Sequence, residues 1–224
     1  MNTSGTAEES QGLRSDARRN RERIVVVAAE VFAEQGVNAS LEEVAQRAGV
    51  GIGTLYRRFP TRQALVEAIF EDRVEELVEV AEQAAADPDP WHGFSSFLEY
   101  ALAAQATNRG LKDVFTDLPP TGRMVDARSR IRRWIEQLLT RAQQQGSLRR
   151  DVTLSDISML FWAISRIVDA TSEVAPQAWR RHLALVLDAF RATDAAAISI
   201  PPLTEAEVDQ AMHHLRALAA RHRT

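Results

Sequence analysis

Cysteine is absent from the 224 residues, which excludes thiolate metal sites, thiol nucleophiles and disulfide staples. Histidine is sparse. The five stand at 92, 182, 213, 214 and 222 with no His-x-x-x-His pair, and the adjacent His213 and His214 point to different sides of a helix. No metal site or cofactor is expected from such a set. Long apolar runs are also missing, the stretch from Ile24 to Ala29 being far short of the roughly 20 residues of a membrane span. The start, Met1-Asn2-Thr3-Ser4-Gly5, lacks the basic-then-apolar pattern of a secretory signal, so the expectation is a cytoplasmic protein without a membrane partner. No nucleophile elbow, phosphate loop or dinucleotide fingerprint occurs, and Gly49-x-Gly51-x-Gly53, with no strand before it, reads as turn chemistry. An enzyme is therefore not the expectation.

What is present is an ordinary globular balance of 45% hydrophobic and 26% charged residues. A soluble chain of this size hides on the order of 70% of its unfolded surface, so a core alone can hold it. Positive charge is almost all arginine, Lys112 being the sole lysine. It is also unevenly placed. Between Leu13 and Val66 nine arginines face six acids, a net +3 in a chain whose total is −4. A basic head on an acidic body suits an anionic partner that touches only the N-terminal part.

Residues 1–12 are rich in Ser, Thr, Gly, Glu and Gln, and a disordered leader is expected there. Apolar positions then recur at three- and four-residue steps through Ile24, Val27, Val31 and Phe32 and stop at Gly36, which marks a first helix. Ser40-Leu41-Glu42-Glu43 is the spacing of a reciprocal capping box and opens a second helix that runs to about Ala48. Gly49-Val50 turns the chain into a short third helix from about Ile52 to Arg58, which Pro60 ends. A fourth runs from about Arg62 to Ala86. The helical period returns around Phe94, Ile131, Ile157, Trp179 and Val208, with breakers at Asp87 to Pro90, Pro119-Pro120, Gly146, Pro176 and Pro201-Pro202. No period-two pattern competes. The fold class is all-α with about ten helices.

Helices two and three have the lengths and joint of a helix-turn-helix spanning residues 13–61 with helix one. The third helix is expected to turn Val50, Leu55 and Phe59 inward and to show Ile52, Gly53, Thr54, Tyr56, Arg57 and Arg58 outward. That outer face suits a DNA groove. Gly51 and Gly53 let a phosphate approach the backbone, Thr54 and Tyr56 add hydroxyls, Arg57 can fork onto guanine, and Ile52 can rest on a thymine methyl. Arg14, Arg18, Arg19, Arg21 and Arg23 form a basic cluster, read either as a solvated face or as an arm on DNA.

These residues, in this order, resemble the tetracycline-repressor (TetR) family of bacterial transcription regulators. The likeness is carried by Arg21-x-x-Ile24, Ala28-Ala29, Phe32 and Gly36, then Leu41-x-x-Val44-Ala45-x-x-Ala48-Gly49-Val50, then Gly53-Thr54-Leu55-Tyr56-Arg57-Arg58-Phe59, Thr61-Arg62 and Leu65. It covers about a quarter of the chain. The resemblance implies phosphate contacts for Tyr56 and Arg62, base-edge or adjoining backbone contacts for Thr54 and Arg57, and a backbone position for Ser40, with Gly51, Ile52, Gly53, Arg58 and Thr61 completing the DNA-facing set. Two positions depart from the family's habit: Gly51 stands where Ser is frequent, and Arg58 where His is.

The resemblance further implies that residues 62–224 form a helical regulatory and dimerisation domain. The helix 155–172 is apolar nearly all round and, with the helix 176–192, is the expected two-fold interface, through Ile157, Phe161, Ile164, Val168, Trp179, Leu183, Val186 and Phe190. A small-molecule pocket is the reading for Phe70, Val74, Leu98, Phe115, Met124, Trp134 and Trp162, against the alternative that aromatic and methionine residues at helical spacing are core, and His92, Gln105 and Asn108 are read either as polar contacts or as surface and capping groups. The implied protein is a homodimeric repressor that a small effector releases from a palindromic double-stranded DNA operator. The rival reading is a helical protein–protein adaptor that binds no DNA.

Overall fold

The computed structural model describes residues 4–116, 122–192 and 196–221. Among them run ten helices and no strand: α1 (Ser4–Gln35), α2 (Leu41–Arg47), α3 (Ile52–Arg58), α4 (Arg62–Ala85), α5 (Pro90–Thr107), α6 (Arg109–Thr116), α7 (Arg123–Gln145), α8 (Leu154–Thr171), α9 (Ala178–Phe190) and α10 (Glu205–Arg221). The all-α expectation holds. α1 begins at Ser4, inside the 1–12 stretch expected to be a disordered leader; residues 1–3 lie outside the described residues. Once Ile24 to Phe32 anchor a helix, each residue added upstream gains a hydrogen bond without a new nucleation cost, and no proline precedes Pro60 to stop it. The Pro119-Pro120 break lies outside the described residues. No helix among the described residues is long and apolar enough to cross a membrane.

The head is a three-helix cluster. Ile24, Ala28, Val31 and Phe32 of α1, Leu41 and Val44 of α2, and Leu55 with Phe59 at α3 are all buried together. An isolated helix of seven residues is unstable in water, so α3 exists because Leu55 and Phe59 bury apolar surface worth about 1.5–3 kcal/mol each. Ser40 caps α2, its hydroxyl accepting from the Glu43 N–H at 3.3 Å. Only that half of the expected capping box forms, since the Glu43 carboxylate is taken by Arg47 at 2.7 Å and by Gln35 Nε2 at 3.0 Å. The turn is set by Gly49 at φ +64°, where Val50 N–H reaches back to Ala45 O and Gly49 N–H to Gln46 O. That pairing is a Schellman end, and it needs a left-handed residue.

The body grows from the same core. α4 lies along α5 and α7, and α8 and α9 pack on each other and on α5. Head and body are pressed together by α6, which no sequence periodicity announced. A Cβ on Gly110 would lie 2.5 Å from Phe70 Cζ and 2.9 Å from Phe32 O, so α6 reaches the end of α1 only as glycine. From Ala196 the chain runs back past α7 and α8, pinned by Arg149 Nη2 donating to Ala196 O at 3.0 Å and Ile198 N–H donating to Asp151 at 2.9 Å. It ends in α10, which leans on α8 and is tied to α7 by the Arg132–Glu205 ion pair.

Candidate functional site

On α3 the helical period sorts the side chains as the sequence predicts. Leu55 and Phe59 are buried, Val50 is half-buried, and Gly51, Gly53, Arg57 and Arg58 are exposed. Ile52 at 37% and Tyr56 at 46% exposure are large apolar or aromatic groups left in water, which a folded monomer does not require. Thr54 is half-buried and accepts from Arg57 Nη2 at 2.9 Å, so the guanidinium is held along the helix rather than free in solvent. Arg21 lies 5.2 Å over the Phe59 ring and Arg23 donates to Asn20 at 2.9 Å, both on an exposed part of α1 midway along the helix. The side chains of Arg14 and Arg18 lie outside the described residues.

Three residues of the expected DNA-facing set have local duties. Ser40 caps α2, its hydroxyl also donating to Glu42 at 2.8 Å, which holds the Glu42 carboxyl below its usual range. Thr61 caps α4 by accepting from the Ala64 N–H at 3.1 Å. Arg62 turns inward. Its Nη1 donates to Val37 O at 2.8 Å and to Ala39 O at 2.6 Å, closing the α1–α2 turn. Burial pushes this guanidinium below the ordinary arginine range, though it stays charged at neutral pH. The phosphate contact expected of Arg62 is thus replaced, in this conformation, by a backbone-clamping role, because two carbonyls lie within its reach.

The body holds a cavity of about 260 Å³ between α4, α5, α6, α7, α8 and α10. Of the seven residues expected to line it, Phe115 and Trp162 do. Phe70, Val74, Leu98 and Met124 are instead sealed in the core, and Trp134 is half-buried against it outside the lining. Aromatic and methionine side chains at helical spacing pack against neighbouring helices, and periodicity does not say which of them border a void. Among the polar candidates, Gln105 lines the cavity, whereas Asn108 caps α6 by accepting from the Leu111 N–H at 2.9 Å, and exposed His92 pairs with Asp87 at 2.6 Å. Val208, Asp209 and Met212 of α10 close one wall. Sequence reading missed them because α10 is a mixed, weakly patterned helix distant in the chain.

The expected interface residues divide in two. Ile157, Ile164, Trp179 and Leu183 belong to the chain's own core, and Phe161, Val168, Val186 and Phe190 are half-buried. The first four are covered within the chain's own domain. An all-round apolar α8 must be covered on every side, and its most regular stripe is covered by its own domain. The apolar residues that α8 and α9 leave outward are Ala163, Ala170, Ala184, Ala189 and Leu185, the last 58% exposed, and they are interspersed with exposed Arg166, Asp169, Arg180, Arg181, His182 and Asp188.

Two family models match separate stretches of the chain. Residues 24–69 match the family model described as bacterial regulatory proteins, tetR family, and residues 89–192 match that of the SbtR-like transcriptional regulator C-terminal domain. The crystal structure of a TetR transcription regulatory protein from Mycobacterium vanbaalenii is 34% identical, with a TM-score of 0.50 over 80% of this chain and 99% of that one. That of the TetR transcriptional regulator SCO0520 from Streptomyces coelicolor is 32% identical, with a TM-score of 0.52 over 77% of this chain and 99% of that one. An HTH-type transcriptional regulator of Staphylococcus aureus (strain USA300) is 31% identical over 101 residues, 44% of this chain, and the match spans about half of that protein, 55%. With an exposed third helix on a helix-turn-helix head and a relative above 30% identity that is covered over 99% of its chain, this chain belongs to the TetR family of DNA-binding transcriptional regulators.

Proposed function

We propose that the chain is a homodimeric repressor that binds a partly palindromic operator through α3 of each subunit and leaves it when a small molecule fills the body cavity. The observation that carries this reading is the bare face of α3. A glycine inside a helix costs about 0.5–1 kcal/mol relative to alanine, yet a Cβ on Gly53, or on Gly51, would meet nothing within 4 Å. Gly51 is the N-cap of α3, a position that glycine suits, but packing within the chain gives no reason for Gly53 inside the helix, whereas a second backbone approaching closely does. In this reading Ile52 meets a thymine methyl, Arg57 a base edge, and Tyr56 and Arg58 phosphates, with Ser40 and Thr61 flanking the backbone and Thr54 steering Arg57.

The head is residues 13–61 and the body residues 62–224, with α4 the rod between them. A ligand in the cavity touches Leu77 of α4 and Phe115 and Thr116 of α6, so it acts on both connections to the head. Moving two heads by less than a helical turn misaligns one half-site, and a coupling of about 1–3 kcal/mol releases DNA several-fold to a hundredfold. Selection of bound sites from random duplexes tests the reading. The expected result is paired, inverted half-sites about one helical turn apart; recovery of no enriched sequence would refute it.

A further inference from the structure

The cavity contains one polar group whose chemistry is unused. Gln105 is 6% exposed, borders the cavity from α5, and its Oε1 is shut from solvent with no hydrogen-bond partner. A buried amide oxygen left unbonded is costly, and such groups in folded proteins are nearly always satisfied. Around it stand Phe97, Phe115, Phe161 and Trp162, faces that favour a flat apolar ring. The rest of the lining argues about charge. Arg132 is its one cation among the described residues and is already paired with Glu136 at 3.2 Å and with Glu205, while Asp209 adds a carboxylate. An acidic ligand finds no free positive partner there and meets a like charge.

We propose that Gln105 is the specificity-determining residue of this cavity, and that its ligand is a neutral, flat, largely apolar molecule carrying a hydroxyl that donates to Gln105 Oε1. The inference rests on reading the cavity as the effector site. The terminal torsion of glutamine is broad, so the carboxamide turns its oxygen toward a ligand without leaving its rotamer. Discrimination follows from the asymmetry of buried polar groups: a ligand that lacks the donor leaves the amide oxygen unbonded in the complex, and one that has it does not.

The test is calorimetric titration of the full chain with 2-naphthol and with 2-methoxynaphthalene, which keeps the ring and loses the donor. The ratio of the two affinities is compared between the native chain and Gln105→Leu, which cancels the probes' different hydration. The ratio is expected to fall tenfold or more in Gln105→Leu, while that variant melts no lower than the native chain; Gln105→Met serves the same purpose if the branched side chain does not fit. An unchanged ratio with both probes still binding overturns the role of Gln105 and leaves the cavity as a ligand site. Failure of both probes to bind the native chain at millimolar concentration overturns the ligand class. Operator release is scored separately by gel retardation: a probe that binds as expected yet frees no DNA sinks the effector reading and not the role of Gln105.

Discussion

Asp113, a buried carboxylate on α6, accepts a hydrogen bond at 3.0 Å from the backbone N–H of Val37, the residue that leads from α1 into the helix-turn-helix. The body therefore holds the head through this buried bond as well as through α4 and the packing of α6 against α1. Lys112 stands beside it, 4.0 Å from the Asp113 carboxylate, and pairs with Asp169 of α8, so α6 links the head to the body. Asp113→Leu is expected to cost about 1–3 kcal/mol in urea unfolding, because it leaves the Val37 N–H buried and unpaired. Asp113→Asn keeps an acceptor and should lose much less. Equal losses for the two variants would mean that charge, not the hydrogen bond, holds the joint.

Arg58 and Arg62, both in the expected DNA-facing set, should separate in a salt titration. Exposed Arg58 is expected to neutralise a phosphate, so Arg58→Ala should lower the slope of log affinity against log salt by about one. Arg62 clamps Val37 O and Ala39 O, and Arg62→Ala should weaken binding by loosening the α1–α2 turn, at a stability cost of about 1.5–3 kcal/mol, with the slope retained. A flattened slope in Arg62→Ala would mean that the residue swings out to DNA.

The contrast between those two arginines also marks what a sequence can convey. The outward face of α3 was legible because helical period alone separates Leu55 and Phe59 from Tyr56, Arg57 and Arg58. The inward turn of Arg62 was not, since its partner carbonyls lie 25 and 23 residues upstream and are brought near only by the fold. α6 escaped notice because eight residues hold barely two turns of period. On α8 and α9 periodicity found apolar faces but not their partners, so Ile157, Ile164, Trp179 and Leu183 were assigned to a second subunit when their own domain covers them. Gln105 was visible as a polar residue on an apolar helix, and only the cavity beside it turns that into chemistry.

The His92–Asp87 pair gives the α4–α5 corner a pH dependence of definite sign. The hydrogen bond that His92 donates to Asp87, then the charge of Asp87, raise the His92 pKa above the usual 6.5, and His92 in turn lowers that of Asp87. Stability from a raised histidine is fully present below its unfolded pKa and disappears as pH climbs through the folded value; that from a depressed carboxylate disappears as pH falls through its folded value. The melting-temperature advantage of the native chain over His92→Gln should therefore be greatest between about pH 5 and 6 and shrink toward pH 8. The pair is exposed, so the difference should be small and diminish in high salt. A difference that grows with pH would contradict the assignment.

Leu185 is where dimerisation is best tested without disturbing the core. It is 58% exposed on α9, so Leu185→Glu leaves the chain's own packing intact, and near-native circular dichroism and melting are expected of the monomer. If α8 and α9 meet their copies across a two-fold axis, each substitution acts twice, once from each subunit, and brings two carboxylates into an apolar contact. A central apolar residue of such an interface contributes more than about 1 kcal/mol, and a buried unpaired charge adds to the loss. Sedimentation should show the dimer dissociation constant rising at least tenfold, and operator affinity should fall with it, because one head alone grips only a half-site. A native dimer in Leu185→Glu would move the two-fold axis away from this face, and a monomeric native chain at micromolar concentration would remove the axis altogether.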